Sequence, residues 1–142
     1  MSYLQNKSEI LNDAAKLLHD KTYYPAVAHS AYYCCYQLLK HIWLYSLRKT
    51  DSDFTQELIQ HKTQTGDKNI GSHEFLINQI TIYIKNSNKK DCRKHSFDFN
   101  NNIVQLKKLR RIADYEDSLF DSSKSSSALS LSTDIIPILK KY

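Results

Sequence analysis

Apolar residues recur along most of the chain at intervals of three and four, which is the spacing of an α-helix with one buried side. The first such segment predicts a helix from Tyr3 to Asp20, closed by Lys21 and Thr22. Its apolar positions form one stripe: Leu4, Ile10, Leu11, Ala14, Leu17 and Leu18. We therefore expect an amphipathic helix with this stripe as its apolar side.

The segment from Tyr24 to Arg48 is apolar over most of its circumference, and Pro25 is acceptable in the first turn of a helix. One face carries Val27, Ala31, Cys34, Cys35, Leu38, Ile42 and Tyr45. A nearly opposite stripe carries Tyr32, Tyr36, Leu39, Trp43 and Leu47. A helix with two apolar sides is buried on both, and in a small domain one side can be the core and the other a subunit interface. The pattern predicts a homodimer with Tyr32, Tyr36 and Trp43 at the interface.

The rest of the chain predicts four further helices joined by polar segments. They are Asp53–Gln60 with Asp53 or Ser52 as N-cap, His73–Lys85 after Ser72 as N-cap, Asp98–Phe120, and a sixth that starts in the Ser-rich stretch Asp121–Ser127. The segment His61–Ile70 is expected to be a loop and Asn86–His95 a basic linker. Thr81–Ile84 favours a strand locally, Pro137 predicts a kink in the last helix, and residues 140–142 are expected to fray.

Length and composition agree with this pattern. The 142 residues suit a single domain. Glycine and proline occur twice each, whereas sandwiches and barrels need many turns that draw on both residues. We expect an all-α, up-and-down bundle of four to six helices that forms one domain over residues 1–142.

The same composition argues against a membrane segment, a leader sequence and a metal centre. No apolar run approaches the roughly 18 residues of a membrane span, and the N-terminal residues lack the apolar core of a signal peptide. The cysteines, Cys34, Cys35 and Cys92, are odd in number, and adjacent helical cysteines point about 100° apart. We expect a reducing, cytoplasmic location without membrane association. Histidines and cysteines show no zinc-ligand spacing, so we expect neither metal nor cofactor.

The formal net charge is +5 and the isoelectric point is about 9.0, a balance compatible with a phosphate-bearing partner. The basic linker offers four candidate phosphate contacts: Lys89, Lys90, Arg93 and Lys94. Contacts of this kind would make RNA binding dependent on salt. The alternative interpretation of the same residues is a solvated loop.

Two segments stand out for the combination of residues that they carry. Residues 23–40 read YYPAVAHSAYYCCYQLLK, and residues 109–115 read LRRIADY, with GSHE at 71–74 between them. In order and spacing these resemble the second helix, the late "L-R-x-x-A-D-Y" stretch and a helix start of the HEPN domain family, in its UPF0332-like subgroup. The resemblance spans most of the chain.

The resemblance implies a helical up-and-down bundle that usually dimerises. Many family members are metal-independent ribonucleases or toxins. Others are non-catalytic modules that bind RNA or nucleotides, often beside a nucleotidyltransferase-type protein partner. Catalytic members carry an R-x4-6-H motif on a late helix, in which the arginine stabilises phosphate charge and the histidine moves protons during attack by the RNA 2′-hydroxyl.

This chain departs from the catalytic motif at its histidine. Arg110 is followed at +4, +5 and +6 by Asp114, Tyr115 and Glu116, and no histidine occurs after His95. Tyrosine as a residue type is a poor base at neutral pH, and Asp114 would serve as a base only if it were buried. His29 and His73 are the histidines elsewhere in the chain that could carry protons in place of a late-helix histidine.

Three hypotheses follow from these residues. The first is a non-enzymatic HEPN-like module of a bacterial toxin–antitoxin or defence system, in which Arg110 and Arg111 contact RNA or nucleotide phosphate. The second is a ribonuclease that uses Arg110 with Asp114 or Tyr115. The third is a structural four-helix protein whose second apolar stripe holds an oligomer together. The corresponding alternative interpretation of single residues is a surface ion pair for Arg110, Arg111 and Asp114, and packed side chains for the tyrosines. The first two require the helices of Ala31–Tyr33 and Arg110–Tyr115 to pack side by side.

Overall fold

The computed structural model describes all 142 residues and contains six α-helices and no strand. The helices are α1 (Tyr3–Asp20), α2 (Tyr24–His41), α3 (Asp51–Thr65), α4 (Ser72–Lys85), α5 (Cys92–Tyr115) and α6 (Ser122–Leu139). Helix α2 continues into a π-helical turn over Ile42–Ser46. The predicted all-α bundle is confirmed. No helix combines the length and hydrophobicity that crossing a lipid bilayer requires.

Helix α2 lies at the centre of the bundle and packs against α1, α5 and α6, with a smaller contact to α4. Its burial on more than one side is confirmed, but both apolar sides are covered within a single chain. Tyr32 has no exposed surface and Trp43 is 2% exposed. Trp43 packs edge-on against Phe54 of α3 and donates a 2.9 Å hydrogen bond to the carbonyl oxygen of Thr50. The prediction that Tyr32 and Trp43 form a subunit interface is therefore wrong in this fold.

Tyr36 is also engaged inside the chain, since it is only partly exposed and stacks on His73. The three aromatic side chains assigned to the interface are thus covered by α3, α4 and α5 instead of by a second copy. A homodimer stays a prediction, and it would need a different surface.

Helix α1 has the predicted bounds, but only part of its predicted apolar stripe is covered by other helices. Ser8 and Ala15 are buried, and Ser8 donates a 2.8 Å hydrogen bond to the carbonyl oxygen of Cys34. Ile10 and Leu17 are 59% and 60% exposed. Because α1 rests on α2 and α6, one side of its broad apolar stripe is covered and the other side has no neighbouring element.

Three boundaries of α3 and α4 differ from the sequence-based predictions because other residues provide the caps. The N-cap of α3 is Thr50, whose hydroxyl and the carboxylate of Asp53 form a reciprocal capping box, and α3 ends at Gly66 with φ +72°. This adds Asp51–Ser52 and His61–Thr65 to the predicted helix. The N-cap of α4 is Gly71 and not Ser72. The locally strand-like run Thr81–Ile84 is helical, since Ile84 is needed in the core.

Helix α5 begins at Cys92 and ends at Tyr115, which shifts both ends of the predicted helix toward the N-terminus. The predicted basic linker is therefore shorter, and Arg93 and Lys94 lie in the first turn of α5. Residues 140–142 lie beyond the end of α6, and Tyr142 packs against the bundle, whereas we predicted fraying of all three residues. The hydroxyl group of Tyr142 lies 2.7 Å from Nδ1 of His95, and its carbonyl oxygen accepts a 2.7 Å hydrogen bond from Ser46.

Candidate functional site

The two motif segments meet where α2 and α5 pack side by side, as predicted. The guanidinium carbon of Arg110 lies 5.1 Å from the ring centroid of Tyr32 and 5.7 Å from that of Tyr33. The ring of Tyr115, at the end of α5, lies 5.6 Å from the same carbon. Distances of this size allow a favourable cation–π interaction. Three tyrosine rings therefore surround the Arg110 guanidinium, a group we call the tyrosine cage.

Arg110 is buried but has weak polar partners. Its side chain is 8% exposed. Its Nη1 donates to the Tyr115 hydroxyl over 3.4 Å and lies 3.7 Å from a carboxylate oxygen of Asp114. Its Nε is buried and has no hydrogen-bond partner. The i,i+4 pair with Asp114 exists, but burial of the arginine contradicts the interpretation of a surface ion pair.

His29 of α2 reaches across to the carboxylate that also faces Arg110. Its Nδ1 lies 2.9 Å from Oδ2 of Asp114, and the two side chains are 52% and 21% exposed. The imidazole ring of His29 packs at 4.8 Å from the ring of Tyr33. One carboxylate oxygen thus joins a histidine and an arginine that are 81 positions apart (110 − 29) in the chain.

His73, in the first turn of α4, closes the other side of the tyrosine cage. Its Nδ1 lies 2.9 Å from the hydroxyl oxygen of Tyr32, and its ring stacks on Tyr36 at 4.2 Å. Burial lowers the pKa of His73, and the charges of Arg110 and Lys107 lower it further. Burial also raises the pKa of Tyr32 well above its usual range. The Tyr32 hydroxyl therefore keeps its proton, and it shares one hydrogen bond with a neutral imidazole, whose tautomer sets the direction.

The structure brings together most residues of the motif but separates them from the basic linker. Arg110, Asp114, Tyr115, His29 and His73 converge on one site. The linker residues lie at the opposite end of α5, about 25 Å away at 1.5 Å per helical residue. Two of them are engaged locally: Lys94 pairs with Asp98 at 2.7 Å, and Lys89 packs on the ring of Tyr142.

Arg111 points away from the cage and lines an open groove between α4 and α5. Lys107 lines the same groove, and we did not identify it from the sequence. The signal was available, because Asn100, Val104, Lys107 and Arg111 follow the i, i+4, i+7, i+11 spacing of one helix face. That face is mostly polar, so it does not register in a search for apolar stripes.

No group of three or more His, Cys, Asp or Glu side chains converges in a way that could hold a metal ion. Comparisons with protein-family models, curated proteins and solved structures found no significant match. The resemblance to the HEPN family therefore depends on the motif residues themselves.

Proposed function

We propose that the chain is a HEPN-like helical module that binds RNA through a backbone phosphate, with Arg110 as the anion-binding residue. The observation that carries this proposal is the burial of the Arg110 guanidinium in the tyrosine cage without a close anionic partner. The resemblance supplies the setting, a non-catalytic module of a bacterial toxin–antitoxin or defence system.

The energetics of Arg110 favour binding of an anion. A buried charge costs several kcal/mol unless it is paired with good geometry, and arginine stays charged in proteins. Charge-assisted hydrogen bonds are about 2.7–2.9 Å long, whereas the nearest acceptors of Arg110 lie at 3.4 and 3.7 Å. A phosphate group would satisfy the guanidinium with two parallel hydrogen bonds. An arginine with a purely structural role is expected to have its buried donors satisfied.

One wall of the site is exposed to solvent. The ring of Tyr115, which lies over the guanidinium, is part of a residue that is 74% exposed. The side chain of His29, from α2, is 52% exposed. A phosphate would reach the guanidinium after rotation of the exposed Tyr115 side chain, whose ring would then be free to stack on a base.

The test is binding of a short fluorescein-labelled single-stranded RNA, measured by fluorescence anisotropy at several salt concentrations. Arg110→Gln removes the charge, and Arg110→Lys keeps the charge but loses the bidentate geometry, so both variants should bind RNA at least tenfold more weakly. Arg48→Gln is the matched control, since Arg48 is exposed and distant in sequence from the cage. Equal RNA affinity of the Arg110 variants and the control would refute the proposal.

A second candidate function is metal-independent RNA cleavage, and the contact between His29 and Asp114 favours it. The carboxylate orients the imidazole through Nδ1, and Nε2 of His29 forms no hydrogen bond within the chain. Histidine is the side chain best suited to proton transfer near neutral pH. His29 would thus occupy the role of the histidine that the late-helix motif lacks, in place of the predicted Asp114 or Tyr115.

In such a reaction His29 takes the proton of a ribose 2′-hydroxyl, and the resulting oxygen attacks the adjacent phosphorus atom. The bond from phosphorus to the 5′ oxygen breaks, the 5′ oxygen takes a proton from solvent water, and a 2′,3′-cyclic phosphate forms. His29 then returns its proton to the solvent. Arg110 would stabilise the charge that develops on the phosphoryl oxygens. RNA incubated with pure protein and EDTA should be cut by the wild type and not by His29→Ala or Asp114→Asn. If the wild-type protein leaves the RNA uncut, the cleavage function is wrong and RNA binding remains the proposed function.

A further inference from the structure

The groove between α4 and α5 lies beside the tyrosine cage and has a volume of about 550 Å³. Its cationic side chains come from one face of α5: Lys107, Lys108 and Arg111. None of these three forms an ion pair within the chain, although Glu74 and Glu116 also line the groove. The groove therefore has unpaired positive charge close to the anion site at Arg110.

Lys107 of the groove is attracted by one neighbouring charge and repelled by two others. Burial lowers the pKa of Lys107; Glu74 opposes this effect, and the charges of Arg111 and Arg110 add to it. The charges of Lys107 and Arg110 also act together on His73 of α4. An anion in the groove would relieve the repulsion, because it would offset like charges held on adjacent turns of one helix.

The other end of the groove offers groups of a different kind. Asn78 of α4 and Asn100 of α5 present side-chain amides, which can both donate and accept hydrogen bonds. Oδ1 of Asn100 accepts a 3.4 Å hydrogen bond from the Thr81 hydroxyl, and its amide N–H groups have no partner within the chain. Val104 lies between them and the cations, and it is 53% exposed. Asn100 and Lys107 are seven residues apart, which places them about 10 Å apart along the helix axis. An amide pair, an apolar surface and a cationic end at this separation suit a nucleobase joined to a phosphate.

We propose that the α4–α5 groove binds one nucleotide of a single-stranded RNA, namely the nucleotide next to the phosphate held by Arg110. This inference rests on the function proposed above. Lys107 and Arg111 contact the next backbone phosphate. Asn78 and Asn100 read the edge of the base, and Val104 packs against its face. The groove thereby extends the contact from one phosphate to a short stretch of RNA.

The first test removes the amides without changing the charge. The double variant Asn78→Ala/Asn100→Ala should weaken binding of the labelled RNA by about fivefold or more for each lost hydrogen bond. The same variant should bind inorganic phosphate as the wild type does, measured by NMR titration of the Arg110 side-chain signals. Asn101→Ala is the matched control, since Asn101 is an exposed asparagine of α5 outside the groove.

The second test removes two charges. Lys107→Gln/Arg111→Gln should reduce the slope of log K against log salt by about 0.7, since both side chains contact one phosphate and each phosphate neutralised on a single strand contributes about 0.7. The control Lys7→Gln/Lys16→Gln removes the same charge from the exposed surface of α1 and should leave the slope unchanged. Circular dichroism of each variant confirms that the helical content is kept.

The outcomes separate the groove from the cage. If Arg110→Gln abolishes RNA binding while both groove variants behave like their controls, the groove proposal is overturned and the phosphate site stands. If Arg110→Gln binds RNA normally and the groove variants do not, the phosphate site is wrong and the groove carries the binding. Absence of RNA binding by the wild type would overturn both.

Discussion

Replacement of Arg110 by methionine separates the contribution of this residue to stability from its contribution to binding. Methionine keeps an unbranched side chain, two atoms shorter than that of arginine, and packs well against aromatic rings. It removes the charge and the unpartnered Nε from the tyrosine cage. We expect Arg110→Met to change the free energy of unfolding by less than about 1 kcal/mol, in either direction, because the terms below nearly cancel.

The balance follows from the contacts of the guanidinium. An unsatisfied buried donor costs about 1–3 kcal/mol, and methionine removes that cost. Against it stand the cation–π contacts, about 0.5–2 kcal/mol, and the 3.7 Å pair with Asp114, which at i,i+4 contributes about 0.3–0.5 kcal/mol. By contrast, breaking a well-formed buried salt bridge costs about 3–5 kcal/mol.

The assay is urea denaturation followed by circular dichroism, in which a shift of the midpoint at constant slope reports stability. Short RNA at ten times its dissociation constant should stabilise the wild type by about 1.4 kcal/mol and leave Arg110→Met unaffected. A loss of more than about 3 kcal/mol in Arg110→Met would refute the reasoning. It would mean that Arg110 is a well-satisfied structural residue with no capacity left for an anion.

Three further predictions concern the bundle. Trp43→Ala should lose about 3–5 kcal/mol of stability in urea denaturation, because Trp43 is buried within one chain. Light scattering should show no change of oligomeric state. A wild-type dimer that dissociates in this variant would show that Trp43 is an interface residue. The folded pKa of His73 lies below its unfolded value, so the unfolded chain binds more protons and stability should fall as pH drops through about 6.5 toward the folded pKa. His73→Gln should lose less stability over this pH range than the wild type. Burial also lowers the pKa of His41, and this contribution is present in both proteins. Identical pH profiles of stability would contradict the role assigned to His73. Thr50→Ala should lower the free energy of unfolding by about 1 kcal/mol through loss of the α3 capping box, measured by thermal denaturation. Thr63→Ala, on the exposed part of the same helix, should lower it less.

The sequence by itself determined the number and the type of the elements. Helical periodicity depends on residues three and four apart, and these are local in the chain, so α1 was predicted with its observed bounds. The same periodicity showed that α2 is apolar on two sides. The chemistry of the cage was also visible in part, because Arg110 and Tyr115 are neighbours on one helix.

The tertiary structure decided which apolar surfaces are covered and which distant side chains meet. Ile10 and Leu17 belong to an apolar stripe in the sequence, but no element covers them. Trp43 has the pattern of an interface residue, but α3 covers it. His29 has no local signal that connects it to Asp114, since the two are 85 positions apart and meet only when α2 lies against α5. Local periodicity fixes where a side chain lies on its own helix, whereas its neighbours depend on how all the helices pack.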